Sequence, residues 1–313
     1  MANIIDAHCH FLTKEYVDAL KKHDRITEDG FPIPSWSLEE QLSYMEVTGI
    51  GHGILSLSSP HGHFGDDGEA AELNRSINET AAELKKRYPG KFSFAACLPL
   101  PNGTLAAKEA AYAMDVLGAC GVKAPSQAGG VYLGDERFVP LMEELERREG
   151  VLLIHPTKPP VVPGGCFTSG PLPLLEFLND TTRAVINLIA TGTLSRYPHV
   201  RVVVPHCGSF LPNIIDRLTG ITKLLASKGA GEAVDVQKSL DSLYFDLAGD
   251  IYPRGISIVR SLSEDSHLLF GGDFPYTPTE FVVEKIKRMQ KDESLKGSLE
   301  GIFSGNAKRL FGI

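Results

Sequence analysis

The sequence predicts an α/β fold: a (βα)8 TIM barrel, with a small insertion after strand 1. Three observations lead there. Eight short apolar stretches alternate with helical stretches from one end of the chain to the other. Strands such as Val151-Leu-Leu-Ile and Val202-Val-Val carry no polar face, as strands covered on both sides require. Four of the stretches end in His or Asp, and the C-terminal ends of barrel strands are where active-site side chains converge. A doubly wound open sheet is the alternative. It usually carries a Gly-rich phosphate loop after its first strand, and Cys9-His10-Phe11 is not one.

Ile4 to His10 opens the chain as a buried strand. Phe11 to Trp36 reads as irregular and polar, broken by Gly30-Phe31-Pro32-Ile33-Pro34, and a connection that long is expected to be a lid or small inserted subdomain, residues 11–36. Ser37 and Glu40 form a capping box at the start of a helix that Gly49 closes. Strand 53–58 and helix 67–88 follow, the helix carrying Leu73, Ile77, Leu84 and Tyr88 on one face and ending at Pro89-Gly90. The alternation continues with strand 92–98, helix 102–117, strand 121–124, a helix from the cap Asp135 to Arg148, and strand 151–155. Helix 172–191, strand 202–206, helix 211–227, strand 243–247, helix 255–262 and strand 267–272 complete eight units, and two short helices close the chain. A single domain over 1–313 is expected, since barrels reach this length as one unit.

Composition narrows the function classes. The 313 residues are 42% hydrophobic and 22% charged with a net charge of −8, ordinary for a globular protein with a sizeable core. Without a basic cluster, nucleic acid and anionic membrane surfaces are not expected partners. Five cysteines (Cys9, Cys97, Cys120, Cys166, Cys207) in no metal-binding or framework spacing suit a reducing compartment. The chain enters its first strand at once and has no apolar run of membrane-spanning length, so a cytoplasmic location is expected.

The chemistry collects at the strand ends. On a strand with strict alternation His8 and His10 share a face, with Cα atoms about 7 Å apart, while Cys9 points the other way. Two such imidazoles reach one metal, although an isolated His-x-His pair is as readily a pair of core histidines. His155 ends strand five, His206 strand six and Asp273 strand eight, and independent core residues have no reason to recur at that position.

Asp6-Ala7-His8-Cys9-His10, His155-Pro156-Thr157, Pro205-His206-Cys207-Gly208-Ser209 and Gly271-Gly272-Asp273-Phe274-Pro275 resemble the motifs of the amidohydrolase superfamily. Within it, the chain is similar to aminocarboxymuconate semialdehyde decarboxylase and to the resorcylate and methylsalicylate decarboxylases. The resemblance implies one divalent ion, zinc before manganese, held by His8, His10, His155 and Asp273. It also implies His206 as a catalytic residue beside the metal, a homodimer, and a small aromatic or dienoic carboxylic acid as substrate. Three imidazoles and a carboxylate suit zinc, and a catalytic site keeps a further position open. Decarboxylation leaves an electron pair on carbon, so Asp273 or His206 is expected to deliver a proton there. Lys123 occupies the strand-four position that is carboxylated in binuclear members, and an ordinary lysine is the favoured expectation for it.

Other residues near the mouth are weaker candidates for substrate contact. Ser58 and Ser59 end strand two. His61 and His63 form a second His-x-His, but in a Gly-rich loop without strand geometry. Trp36 lies in Pro32-Ile33-Pro34-Ser35-Trp36-Ser37, which resembles a segment of the methylsalicylate-type decarboxylases; packing and ring stacking both remain open for it. Arg25 or Arg254 could reach the substrate, and Asp246 reads as a structural carboxylate bonded to backbone or to a metal-ligating His. The ligand set alone also fits a hydrolase of a lactone or amide, or a hydratase. A non-enzymatic barrel would need a closed structural site, which usually carries Cys ligands.

Overall fold

A computed structural model describes residues 4–164, 170–230, 234–249 and 252–313. Eight parallel strands run in sequence order around one sheet. They are β1 (Ile4–His10), β2 (Ile50–Ser56), β3 (Phe92–Cys97), β4 (Gly121–Pro125), β5 (Val151–His155), β6 (Arg201–Val204), β7 (Leu243–Asp246) and β8 (Leu268–Leu269). The ring closes between β8 and β1, where the Ala7 N–H donates to the Phe270 carbonyl at 2.9 Å and the Asp273 N–H to the His8 carbonyl at 2.7 Å. This is the expected (βα)8 barrel.

The last two barrel strands predicted to carry catalytic residues are shorter than expected. Pro205 has no N–H for the ladder, so β6 stops at Val204 and His206 begins a 3₁₀ turn. Gly271 and Gly272 leave the ladder after Leu269. A Cβ at Gly272 would stand 1.9 Å from Tyr44 Oη and 2.5 Å from Asp6 Oδ2, so only glycine lets the chain pass.

Outside the barrel lie α1 (Lys14–Lys22), α2 (Leu38–Thr48), α3 (Asp67–Arg87), α4 (Gly103–Tyr112), α5 (Val139–Arg147), α6 (Glu176–Ala190), α7 (Leu211–Ser227), α8 (Arg254–Val259), α9 (Thr279–Lys291) and α10 (Asn306–Phe311). Ser37 caps α2 by accepting the Glu40 N–H at 3.1 Å, and Gly49 ends it at φ 74°, as the sequence predicts. Helix α1 replaces the irregular stretch expected after β1. Thr13 caps it, and Tyr16, Ala19 and Leu20 bury one face, a period hidden by the lysines around it. Helix α9 is likewise longer than the short helix expected. A two-stranded hairpin, Gln127–Ala128 with Val131–Tyr132, follows β4 and was not expected.

Apolar side chains fill the barrel and the layer between strands and helices. Ile5, Ala7, Ile54, Ala95, Leu153, Val203 and Leu269 form the inner cluster, with Phe311 of α10 packed against them. The larger cluster, which includes Cys9, Leu55, Phe94, Val122 and Ile154, packs strands against helices. Strict alternation from Ile5 and Ala7 would turn Cys9 inward. Instead the register between β1 and β2 slips, with Asp6 opposite Gly53 and Cys9 opposite Leu55. Three steps on β1 face two on β2, a bulge that re-aims His8 and His10 toward the mouth and leaves Cys9 outside. The sequence expectation of a regular strand missed this.

Among the described residues, no helix is long and apolar enough to cross a membrane. Cys9, Cys97, Cys120 and Cys207 are free thiols, and Cys166 lies outside the described residues.

Candidate metal centre and active site

Three imidazoles meet at the barrel mouth. His8, His10 and His155 are buried, and their ligand atoms lie within 4.8 Å of one another. The other nitrogen of each ring is held by an acceptor. His8 Nδ1 is 2.7 Å from Asp246 Oδ2, His10 Nδ1 is 3.2 Å from the Ser56 carbonyl, and His155 Nδ1 is 2.8 Å from the Pro156 carbonyl. A carbonyl only accepts, so His10 and His155 carry their proton on Nδ1 and present an Nε2 lone pair.

The Nε2 atoms of His8 and His10 are buried with no hydrogen-bond partner. Orphaned buried nitrogens are costly unless something fills the space between them. Asp273 Oδ1 stands 3.5 Å from His8 Nε2 and 3.3 Å from His10 Nε2. Three imidazole nitrogens and a carboxylate gathered together are a donor set for a divalent cation.

Electrostatics agrees with that reading. Burial lowers His10 to about 4, and it also pushes His155 well below the ordinary range, with Lys123 adding to the effect. Both rings are therefore neutral at pH 7, as ligands must be. Burial pushes the Asp273 carboxyl up, but His10, His8 and His206 outweigh it and bring it to about 2. Asp246 is held far below the usual carboxylate range for the same kind of reason: the imidazoles of His8 and His206 and the N–H of Ala248 overcome its burial.

His206 lies beside this group rather than within it. Its ring centroid is 5.3 Å from that of His8, its Nδ1 is buried without a partner, and its backbone N–H donates to Asp246 Oδ1 at 3.0 Å. Both His206 (φ 55°) and Asp273 (φ 66°) adopt left-handed backbone conformations. Strain of that kind persists where surroundings hold it, often at active sites. Burial and the neighbouring His8 lower His206 to about 4.

A cavity of about 190 Å³ opens above these residues, bordered by His155, His206, Asp273, Ser58, Asp29 and Tyr276, with Phe31, Pro173, Phe177 and Leu178 as apolar walls. An apolar cavity of about 150 Å³ accommodates benzene, so this one suits a single substituted ring. Among the described residues no Lys or Arg borders it.

The remaining candidates divide. Ser58 borders the cavity. Ser59 does not: its hydroxyl donates to Asp29 Oδ1 at 3.0 Å and lies 3.2 Å from Thr157 Oγ1. His61 is buried 5.5 Å from the His155 ring but faces a neighbouring open cleft of about 510 Å³. His63 borders that cleft and pairs with Asp67 at 3.0 Å, and Arg25, also there, pairs with Glu28 at 2.6 Å. The structure corrects two substrate candidates. Trp36 packs on Phe11 and donates to Gln41 Oε1 at 3.1 Å, so it anchors the segment after β1 and does not reach the cavity. Arg254 is exposed at the start of α8 and is not among the residues that border the cavity. Lys123, expected to be an ordinary lysine, paired or solvated, is 2% exposed inside the barrel, where burial lowers it to about 8.

Several residues that matter here were given no role from the sequence. Asp6 accepts the N–H groups of His8 at 3.1 Å and Gly272 at 2.8 Å and the Tyr44 hydroxyl at 2.8 Å, tying β1 to the turn before Asp273. Buried Lys285 on α9 donates to the carbonyls of Gly271 at 2.6 Å and Leu247 at 2.9 Å, which joins the ends of β7 and β8. A lysine in an amphipathic helix reads as surface. Asp29 and Tyr276 lie in connections, where no strand-end rule points to them.

Comparison with known proteins gives a consistent picture. The sequence profile of the family described as Amidohydrolase matches residues 5–313. A decarboxylase of Penicillium terrestre, macB, is 33% identical over 99% of this chain and 95% of its own. The 6-methylsalicylic acid decarboxylase of Penicillium expansum is 31% identical over 98% and 95%. A crystal structure of an amidohydrolase II superposes with a TM-score of 0.93 at 34% identity, covering 99% of this chain and all 100% of that one. The fold is shared with 5-carboxyvanillate decarboxylase of Novosphingobium aromaticivorans, solved with manganese and 4-hydroxy-3-methoxy-5-nitrobenzoic acid (TM-score 0.87, 21% identity, 99% and 96% covered).

Proposed function

The chain belongs to the amidohydrolase family, and on that premise we propose that it is a metal-dependent decarboxylase, releasing CO2 without oxidation from a small hydroxylated aromatic acid. The observation that carries this is the convergence of the His8, His10 and His155 imidazoles next to a cavity sized for one ring, which His155 and Asp273 border. The end-to-end likeness to fungal decarboxylases supports the choice of reaction over hydrolysis or hydration.

His8, His10, His155 and Asp273 would hold one divalent ion. Their donor set suits zinc, which is our assignment; manganese, as in the carboxyvanillate enzyme, is the competitor. When bound, the ion supplies fixed positive charge toward substrate oxygens. The chain's own residues do the rest. Phe31, Phe177 and Leu178 exclude water and hold the ring, and Ser58 offers a hydrogen bond. His206 and Asp273 border the same space, and we assign the delivery of a proton to the ring carbon to His206.

In the empty cavity both groups are deprotonated at pH 7, given their lowered pKa values. An incoming anion raises the proton affinity of a buried imidazole, so His206 takes up a proton as substrate enters. Transfer of that proton to the carbon bearing the carboxylate is followed by cleavage of the C–C bond. The bonding pair stays with the ring, CO2 departs, and His206 is left neutral.

A homodimer built on the exposed apolar side chains of α7, Ile221, Leu224 and Leu225, completes the proposal. The test is CO2 release from a panel of hydroxybenzoates by metal-loaded protein. Release from at least one is expected; hydrolysis of a lactone with no CO2 from any acid would replace the proposal.

A further inference from the structure

The roof of the cavity holds a carboxylate that this reaction does not use. Asp29 is 4% exposed and borders the cavity next to Phe31 and Tyr276. It is fixed from two sides. Ser59 Oγ donates to its Oδ1 at 3.0 Å, and its own carbonyl accepts the Leu172 N–H at 2.9 Å, clamping the segment after β1 against the stretch that leads into α6.

Its charge is only weakly offset by the described residues. Among the described residues Ser59 is its one side-chain donor and no cation pairs with it, while Lys158 acts on it only through its field. Residues 165–169, just before that stretch, contain no Lys or Arg. Burial raises the carboxyl to about 6, which still leaves it ionised at neutral pH. Beside it, the buried Tyr276 hydroxyl makes no hydrogen bond of good geometry among the described residues, with only the Ser58 hydroxyl close enough to act on it. A carboxylate with a spare oxygen and an unused phenol at one small cavity form an acceptor and a donor for a polar group on the bound ring.

We infer that Asp29, together with Tyr276, determines specificity: it accepts a ring hydroxyl remote from the reacting carboxylate and turns away rings that carry a second carboxylate there. The inference rests on the reading of this cavity as the site for a hydroxylated aromatic acid. Its logic is that of buried polar recognition. A hydroxyl satisfies Asp29 and Tyr276 together. A second carboxylate brings a like charge against Asp29 in a poorly hydrated space that no Lys or Arg borders among the described residues. A site built to bond a hydroxyl rejects ligands lacking it far more strongly than an apolar site rejects a misfit.

The test reads binding, with a nitro group standing in for the reacting carboxylate so that no turnover occurs. Metal-loaded full-length protein is titrated calorimetrically with 2-nitrobenzene-1,4-diol and with 4-hydroxy-3-nitrobenzoate, which differ only in a hydroxyl or a carboxylate at the same ring position. Wild type is expected to prefer the diol by at least about 30-fold. Asp29→Asn should shrink that preference at least tenfold, chiefly by improving the carboxylate's affinity, and Tyr276→Phe should weaken the diol alone. Equal affinities in wild type, no binding of either ligand, or a preference that both variants leave unchanged overturns the inference. Because the readout is affinity, a protein that shows these shifts yet releases no CO2 refutes the decarboxylase reading and leaves the role of Asp29 standing.

Discussion

Asp246 Oδ2 lies 2.7 Å from His8 Nδ1, while the other oxygen of the same carboxylate accepts the His206 N–H at 3.0 Å. One side chain at the end of β7 thus orients the His8 imidazole and the turn that presents His206, to which we give the role of proton donor. Asp246 is not among the residues that border the cavity. Its effect passes through the rings it holds, as carboxylates behind ligating histidines do elsewhere.

Asp246→Asn is therefore expected to weaken metal affinity by roughly 10- to 100-fold. Competition against a chromophoric chelator measures this directly, and an unchanged affinity would show that His8 is oriented without it.

Removal of the ion should abolish activity. Dialysis against chelator is expected to give a folded, inactive protein that binds one equivalent of zinc or manganese, by elemental analysis, and recovers turnover. Two equivalents would implicate Lys123, buried inside the barrel, as a carboxylated bridge.

His206→Ala should reduce turnover at least about 100-fold, the lower range for a general acid, with metal content still near one equivalent. Loss of the metal in this variant would make His206 a ligand instead.

Acid should destabilise the metal-free protein before it protonates most carboxylates. Burial holds His10 and His206 at about 4 and His61 at about 3, all below their ordinary 6.5. Between these values the unfolded chain binds protons that the folded one does not, so stability is fully present above pH 6.5 and falls as pH drops toward 4. Each unit of separation is worth about 1.4 kcal/mol. Urea titrations at pH 7.5, 6, 5 and 4.5 should show a monotonic decline; a flat profile over this range contradicts the assigned burial.

Gly272→Ala is expected to cost about 3 kcal/mol of stability, the upper range for overpacking, because its Cβ would meet Tyr44 Oη at 1.9 Å. Adding Tyr44→Phe should restore part of the loss, which a double-mutant cycle in urea reads out.

The sequence by itself determined the barrel and the chemistry at its mouth. Alternation of apolar and amphipathic segments is local information, and so is the recurrence of His8, His10, His155, His206 and Asp273 at or just beyond the C-terminal ends of strands, since that is where a parallel barrel opens. Tertiary structure alone decided how those groups are aimed and what faces them. The bulge that turns His8 toward the mouth depends on the register against β2. Trp36 lost its candidacy to packing against Phe11, and Lys285 and Lys123 became interior residues only through long-range contacts. Asp29 and Tyr276, 247 positions apart, border one cavity because a connection after β1 and another after β8 fold over the same opening, a proximity that no periodicity along the chain encodes.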